Sequence, residues 1–90
     1  MIVGAPLRLF PPQPNPARGA LTLRYSLPDD LPARLLVYDL SGRRVAAQDL
    51  RLDRPGEGLA VIPQRLAPGV YFLKLVHPRG VVRSTALLLR

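Results

Sequence analysis

The sequence contains no cysteine and no tryptophan, and it holds a single histidine and six acidic residues among its 90. Without cysteine, neither a disulfide bridge nor a thiolate metal site can form. With His77 as the only imidazole, no zinc site could combine two histidine or cysteine ligands. The composition therefore predicts no metal site, and we expect no cofactor.

Long apolar runs are also missing from the chain. Runs such as Ala86–Leu89 are far shorter than the roughly 18 residues that span a membrane. The first residues, Met1–Pro6, have no charged start and too short an apolar stretch for a signal peptide. We expect no transmembrane segment and, if the domain is exported, a signal located upstream in a larger parent protein.

The residues that enzymes use for catalysis are scarce. His77 stands before a Pro-Arg-Gly turn, where we expect it to be exposed, and none of the three serines lies in a nucleophile elbow. Asp29 and Asp30 are adjacent, and neighbouring carboxylates on an extended chain point apart, so we expect a solvated turn. These features predict no catalytic residue and no enzyme.

Basic residues outnumber acidic ones by 13 to 6, which gives a net charge of +7. Such an excess is typical of proteins that bind nucleic acid or other polyanions. Here, however, the basic residues fall about one to each strand or turn, as expected of solvated faces and strand edges. Tyr25, Tyr38 and Tyr71 lie in apolar strand patterns that suit a core better than base stacking. We therefore expect no nucleic-acid partner.

Proline and glycine, 11 and 7 residues respectively, are spread along the chain and leave no room for a helix. Between them, alternating apolar and polar residues predict seven short strands, at residues 7–10, 21–27, 33–39, 44–52, 59–62, 70–76 and 81–89. Short strands with a turn about every ten residues are typical of sandwiches. We predict an all-β fold, a seven-stranded antiparallel immunoglobulin-like (fibronectin-like) β-sandwich, as one domain over residues 1–90.

The alternation also predicts which side chains form the core, namely Leu23, Tyr25, Leu35, Val37, Tyr71, Leu73 and Leu75. Between the third and fourth of the predicted strands, Asp39 is expected to accept hydrogen bonds from backbone donors two residues on. Gly42 is expected to adopt the positive φ that a bulged hairpin turn requires.

Two predicted strands, Arg34–Tyr38 and Val70–Val76, are apolar on both faces. In a sheet with one solvent-exposed face, apolar and polar residues should alternate along each strand. The second face of these two strands is either covered by the first strand and the proline-rich segment, or exposed as a docking patch for a parent domain or partner. The residues that would form this patch are Leu36, Val70, Phe72 and Val76.

Several short motifs follow one another along the chain: a Pro-Asn-Pro run, the strand 21–28, a Tyr-Asp-Leu-Ser-Gly-Arg hairpin and a Gly-Val-Tyr-Phe strand. In this order the sequence resembles the C-terminal sorting domain of the type IX secretion system, and also the immunoglobulin-like domain of flagellar hook-capping proteins. The resemblance covers residues 6–90 and leaves residues 1–5 as a linker or an added start. Its motif residues are Pro14, Asn15, Pro16, Tyr38, Asp39, Gly42, Arg43, Gly69 and Tyr71.

The resemblance implies a non-catalytic C-terminal sorting or anchoring module of a secreted bacterial protein, recognised by the outer-membrane export machinery. Its partner would be an export or sorting protein, or the upstream domain of its parent. It would reach the cell surface or the medium through the periplasm, as part of a larger protein. Two alternatives stay open: a structural immunoglobulin-like spacer or docking domain, and a basic binder of nucleic acid or polysaccharide.

Overall fold

The chain folds into β-strands that form two sheets in the computed structural model, which describes residues 5–12, 17–18, 20–63 and 65–89. The strands are β1 (Arg8–Leu9), β2 (Ala17–Arg18), β3 (Leu21–Leu27), β4 (Ala33–Tyr38), β5 (Arg44–Leu50), β6 (Gly56–Ile62), β7 (Gly69–His77) and β8 (Gly80–Leu89). No helix that could span a membrane occurs among the described residues.

One sheet has the strand order β1-β3-β6, and the other has the order β2-β8-β7-β4-β5. All pairs are antiparallel except the two-residue β2, which lies parallel to the end of β8. The predicted fold class, a seven-stranded antiparallel immunoglobulin-like sandwich, is confirmed. The short β2 is an addition to the seven predicted strands.

The core lies between the two sheets and consists of the inward side chains of β3 to β8. All seven predicted core residues are buried, each with at most 6% of its surface exposed. Leu23 and Leu27 on one sheet face Leu35, Leu73 and Leu75 on the other within a single apolar cluster. Leucine is the commonest residue in this cluster.

A tyrosine hydroxyl fixes the turn that leads into β7. Tyr71 is buried, and its hydroxyl donates a hydrogen bond to the carbonyl of Ala67, four residues earlier. Immunoglobulin-like sandwiches commonly close a corner in this way, with a tyrosine bonded to the backbone just upstream. The Gly-Val-Tyr-Phe motif thus combines a strand start at Gly69 with an anchor at Tyr71.

β6 begins three residues earlier than predicted, at Gly56 rather than at Leu59. In the paired register, Gly58 lies opposite Tyr25. A Cβ on Gly58 would lie 2.5 Å from the Tyr25 hydroxyl oxygen, so the tyrosine ring occupies the space that a side chain would fill. Burial raises the pKa of Tyr25. Gly58 was predicted to lie in a turn, but it is a strand residue, and its missing side chain leaves room for the Tyr25 ring.

The turn between β4 and β5 is built around the carboxylate of Asp39. Its Oδ1 accepts hydrogen bonds from the Ser41 N–H at 2.9 Å, the Ser41 hydroxyl at 2.6 Å and the Arg43 N–H at 3.0 Å. The hydrogen bond from the Ser41 hydroxyl, followed by that from Arg43, lowers the pKa of Asp39. Gly42 has a φ of +85°, so both expectations for this turn are confirmed.

Replacing Leu73 by alanine should lower the free energy of unfolding by about 2–5 kcal/mol, because it leaves a cavity between the sheets. The urea midpoint measures this loss. Leu59→Ala makes the same chemical change at a side chain that is 66% exposed, and should leave the midpoint nearly unchanged. Equal midpoints for the two variants would show that the inward face of β7 is assigned wrongly.

Gly42→Val should destabilise the protein by about 1–2 kcal/mol, because a β-branched residue at positive φ is strained. No atom lies within 4 Å of a Cβ built on Gly42, so the cost comes from the backbone alone. Gly42→Asn keeps the left-handed conformation accessible and should cost clearly less. Ser41→Ala, which removes an exposed hydrogen bond, should also cost less than Gly42→Val. Denaturant unfolding of the three variants checks the order.

Candidate docking site

Side chains of β4, β7 and β8 that point away from the core form a continuous surface on the larger sheet, here called the outer face. It consists of Arg34, Leu36, Tyr38, Val70, Phe72, Lys74, Val76, Val81, Arg83, Thr85 and Leu87. These residues alternate along each strand with buried or half-buried ones, as the two-residue period of a strand requires. The cross-strand register places Phe72 between Tyr38 and Thr85, near the middle of the face.

The four predicted docking residues all lie on the outer face. Phe72 is 44% exposed, whereas Leu36, Val70 and Val76 are half-buried by their neighbours. Val81 and Leu87 on β8, which the sequence did not single out, are also exposed and extend the apolar area. The alternation of β8 is the signal that could have placed these two on the same face.

The first strand does not cover the outer face, because β1 pairs with β3 in the opposite sheet. The Phe10 N–H donates to the Arg24 carbonyl at 2.9 Å, and the Arg24 guanidinium lies 4.4 Å from the Phe10 ring centroid. This cation–π contact helps hold the amino-terminal segment against the smaller sheet. The motif residues Pro14, Asn15 and Pro16 lie outside the described residues.

An open depression of about 650 Å³ crosses the outer face. Its lining combines two aromatic rings, a hydroxyl and two basic side chains, contributed by Tyr38, Phe72, Thr85, Lys74 and Arg83. Gly42, at the turn between β4 and β5, lies at its edge. Two acidic residues lie near it, and each is paired with an arginine: Asp49 Oδ1 lies 3.5 Å from the Arg34 Nε, and Asp39 Oδ2 lies 3.4 Å from the Arg43 Nε. The depression is therefore apolar and positively charged.

The structure places the other motif residues in the turn between β4 and β5, on the outer face and in the core. Asp39, Gly42 and Arg43 form the turn between β4 and β5, where Arg43 Nε also lies 3.4 Å from Asp39 Oδ2. Tyr71 points into the core as expected, whereas Tyr38, whose strand pattern also suggested the core, lies on the outer face. The hairpin motif thus positions one end of the depression.

His77 is not the exposed turn residue that the sequence predicts, because its side chain is completely buried. Its Nε2 lies 2.8 Å from Asp29 Oδ1, and its Nδ1 accepts a hydrogen bond from the Arg79 N–H at 3.0 Å. Asp29 also accepts the Leu31 N–H at 3.0 Å, and its Oδ2 lies 3.1 Å from Arg79 Nε. Asp29 is therefore not a freely solvated turn residue either, whereas Asp30 is exposed as expected.

This histidine–aspartate pair ties the hairpin between β7 and β8 to the turn between β3 and β4. A backbone N–H can only donate, so Nδ1 of His77 must accept and the ring proton lies on Nε2. Both ring nitrogens are thus engaged in contacts within the protein. Among the described residues, no three histidine, aspartate or glutamate side chains come together as a metal site.

The carboxyl of Asp29 responds to opposing effects. Burial alone would raise its pKa. The hydrogen bonds from His77 and from the Leu31 N–H, together with the charge of Arg79, lower the pKa by more than burial raises it. The pKa of Asp29 therefore lies below its ordinary value of 3.8. A carboxyl of this kind stabilises the fold above its unfolded pKa, and the stabilisation is lost as the pH falls through its folded pKa.

We expect Asp29→Asn to be less stable than the parent near neutral pH, and this difference to shrink as the pH falls below about 4. Urea unfolding across an acid pH series measures the difference. Asp30→Asn changes the neighbouring exposed carboxyl and is the matched control, for which a small and uniform difference is expected. A constant gap between Asp29→Asn and the parent at every pH would contradict the role given to this carboxylate.

Comparison with known proteins agrees with the resemblance read from the motifs. No curated protein and no solved structure matches the chain. Residues 13–86 match the family described as the secretion system C-terminal sorting domain. The match includes strands β3 to β7 and most of β8, and with them nearly all of the outer face. The chain therefore belongs to the family of C-terminal sorting domains of type IX secretion.

Proposed function

We propose that this chain is one non-catalytic sorting and anchoring module, and that the outer-membrane export machinery recognises its folded outer face. Membership of the sorting-domain family supports a role as a sorting signal for type IX secretion, and implies a secreted or cell-surface protein. This family is not a family of enzymes. Passage through the periplasm and recognition by a receptor at the outer membrane belong to the proposal.

The observation that carries the proposal is the exposure of Phe72 at the centre of an apolar and basic face. Burying a phenylalanine side chain completely stabilises by about 1.5–3 kcal/mol. A partner that covers the exposed 44% of Phe72 therefore gains about 1 kcal/mol from this ring alone. Half-buried neighbours such as Val70 and Val76 would add to the contact.

The contacts of the single histidine support a docking role rather than catalysis. His77 is buried with both ring nitrogens engaged, so it supports the turn structure instead of a reaction. Tyr25 and Tyr71 are buried in the core and cannot stack on bases, whereas Tyr38 and Phe72 line the depression. A second candidate, a spacer that docks its parent's upstream domain, is favoured by the same exposed Phe72.

The proposal can be tested by fusing a signal peptide and a fluorescent protein ahead of the whole chain, in a host with an active type IX system. We expect the fusion to reach the surface or the medium. Phe72→Glu should block this delivery, because a carboxylate at the centre of the face prevents its burial. Leu59→Glu is the matched control, since it makes an equivalent change on the smaller sheet and should be delivered normally.

Circular dichroism and urea unfolding establish that both variants are folded before delivery is compared. Retention of the parent fusion in the periplasm would favour the spacer over the sorting signal. Normal delivery of folded Phe72→Glu would show that the machinery does not read the outer face.

A further inference from the structure

Two basic side chains lie directly opposite each other on the outer face. The β7–β8 register pairs Lys74 with Arg83. Like charges in directly opposed positions destabilise a sheet. All six acidic residues belong to the described part of the chain, and none of them forms an ion pair with Lys74 or Arg83. The fold therefore maintains an uncompensated positive pair at a cost to its own stability.

The positive pair borders aromatic surface. Phe72 precedes Lys74 by two residues, so the two side chains lie on one face about 7 Å apart along the strand. Tyr38 lies opposite Phe72 on β4, and both rings line the same depression as Lys74 and Arg83. A ligand that suits this place carries a negative charge and an apolar group at about this separation.

We propose that the depression binds an acidic segment of a partner protein, a proposal that rests on the docking role given above to the outer face. One carboxylate of the segment lies between Lys74 and Arg83, and an apolar side chain two residues away packs against Tyr38 and Phe72. An extended peptide repeats its side chains at this spacing on one face. Such a peptide supplies both the charge and the apolar surface, whereas an acidic polysaccharide supplies mainly the charge.

The decisive variant is Lys74→Glu, which converts the like-charge pair into an opposite-charge pair with Arg83. Opposite charges in this position stabilise a sheet. We expect the variant to unfold at a higher urea concentration than the parent and at the same time to bind the acidic segment less well. A residue with a purely structural role would not give this combination.

Binding is measured by NMR titration of the whole chain with an acetylated, amidated peptide of sequence Glu-Ser-Phe-Ser-Glu. Two comparison peptides replace either both glutamates by glutamine or the phenylalanine by alanine. We expect both comparison peptides to bind about tenfold more weakly, since each lacks half of the contact. Shifts at Tyr38, Phe72 and Arg83 should accompany binding of the first peptide.

Lys74→Glu should weaken binding of the first peptide by about tenfold. Arg54→Glu changes the net charge equally at an exposed turn between β5 and β6, and should weaken it less than about twofold. Equal weakening by the two variants would overturn the proposal, because the peptide would then sense only the net charge. Tighter binding of an alginate oligosaccharide at Lys74 would overturn it in favour of an acidic polysaccharide.

The export assay separates this inference from the proposed function. A block of delivery by both Lys74→Glu and Phe72→Glu supports the acidic partner. Normal delivery of Lys74→Glu with blocked delivery of Phe72→Glu overturns the acidic partner and leaves the docking face intact. Normal delivery of both variants overturns both proposals.

Discussion

The register of β7 with β4 and β8 determines most of what this protein buries and presents. Because successive side chains of a strand point to opposite faces, one register sends Leu73 and Leu75 inward and Phe72 and Lys74 outward. A slip of one residue would exchange the two sets and bury a lysine between the sheets. Lys74 therefore helps to specify the register of the strand that carries it.

Local patterns predicted the core and the β4–β5 turn because the relevant interactions are close in sequence. Gly42 and Asp39 are three residues apart, and the alternation of β7 identifies Leu73 without knowledge of its partners. His77 was assigned wrongly because its partner, Asp29, is 48 residues away. One local signal was available, however: His77 continues the inward alternation of Leu73 and Leu75, so its ring belongs to the buried side of the turn.

The exposure of the outer face could not be decided from sequence, because it depends on whether the amino-terminal segment lies over that face or elsewhere. β1 pairs with β3 rather than with a strand of the larger sheet, and the contact of Arg24 with Phe10 supports this pairing. The early start of β6 escaped prediction for a similar reason. The local sequence predicts a turn at Gly58, and only its pairing with Tyr25, which is distant in sequence, shows that it belongs to a strand.

Four of the eleven outer-face residues come from β8, the last of the described strands along the chain. The surface is therefore a composite that exists only when β8 has paired with β7. A chain that is incomplete or still unfolded carries the residues of β4 and β7 but cannot assemble the face. Under the proposed function, a receptor that recognises this surface would bind only chains in which β8 has paired with β7, so recognition would act as a checkpoint for the folding of this domain.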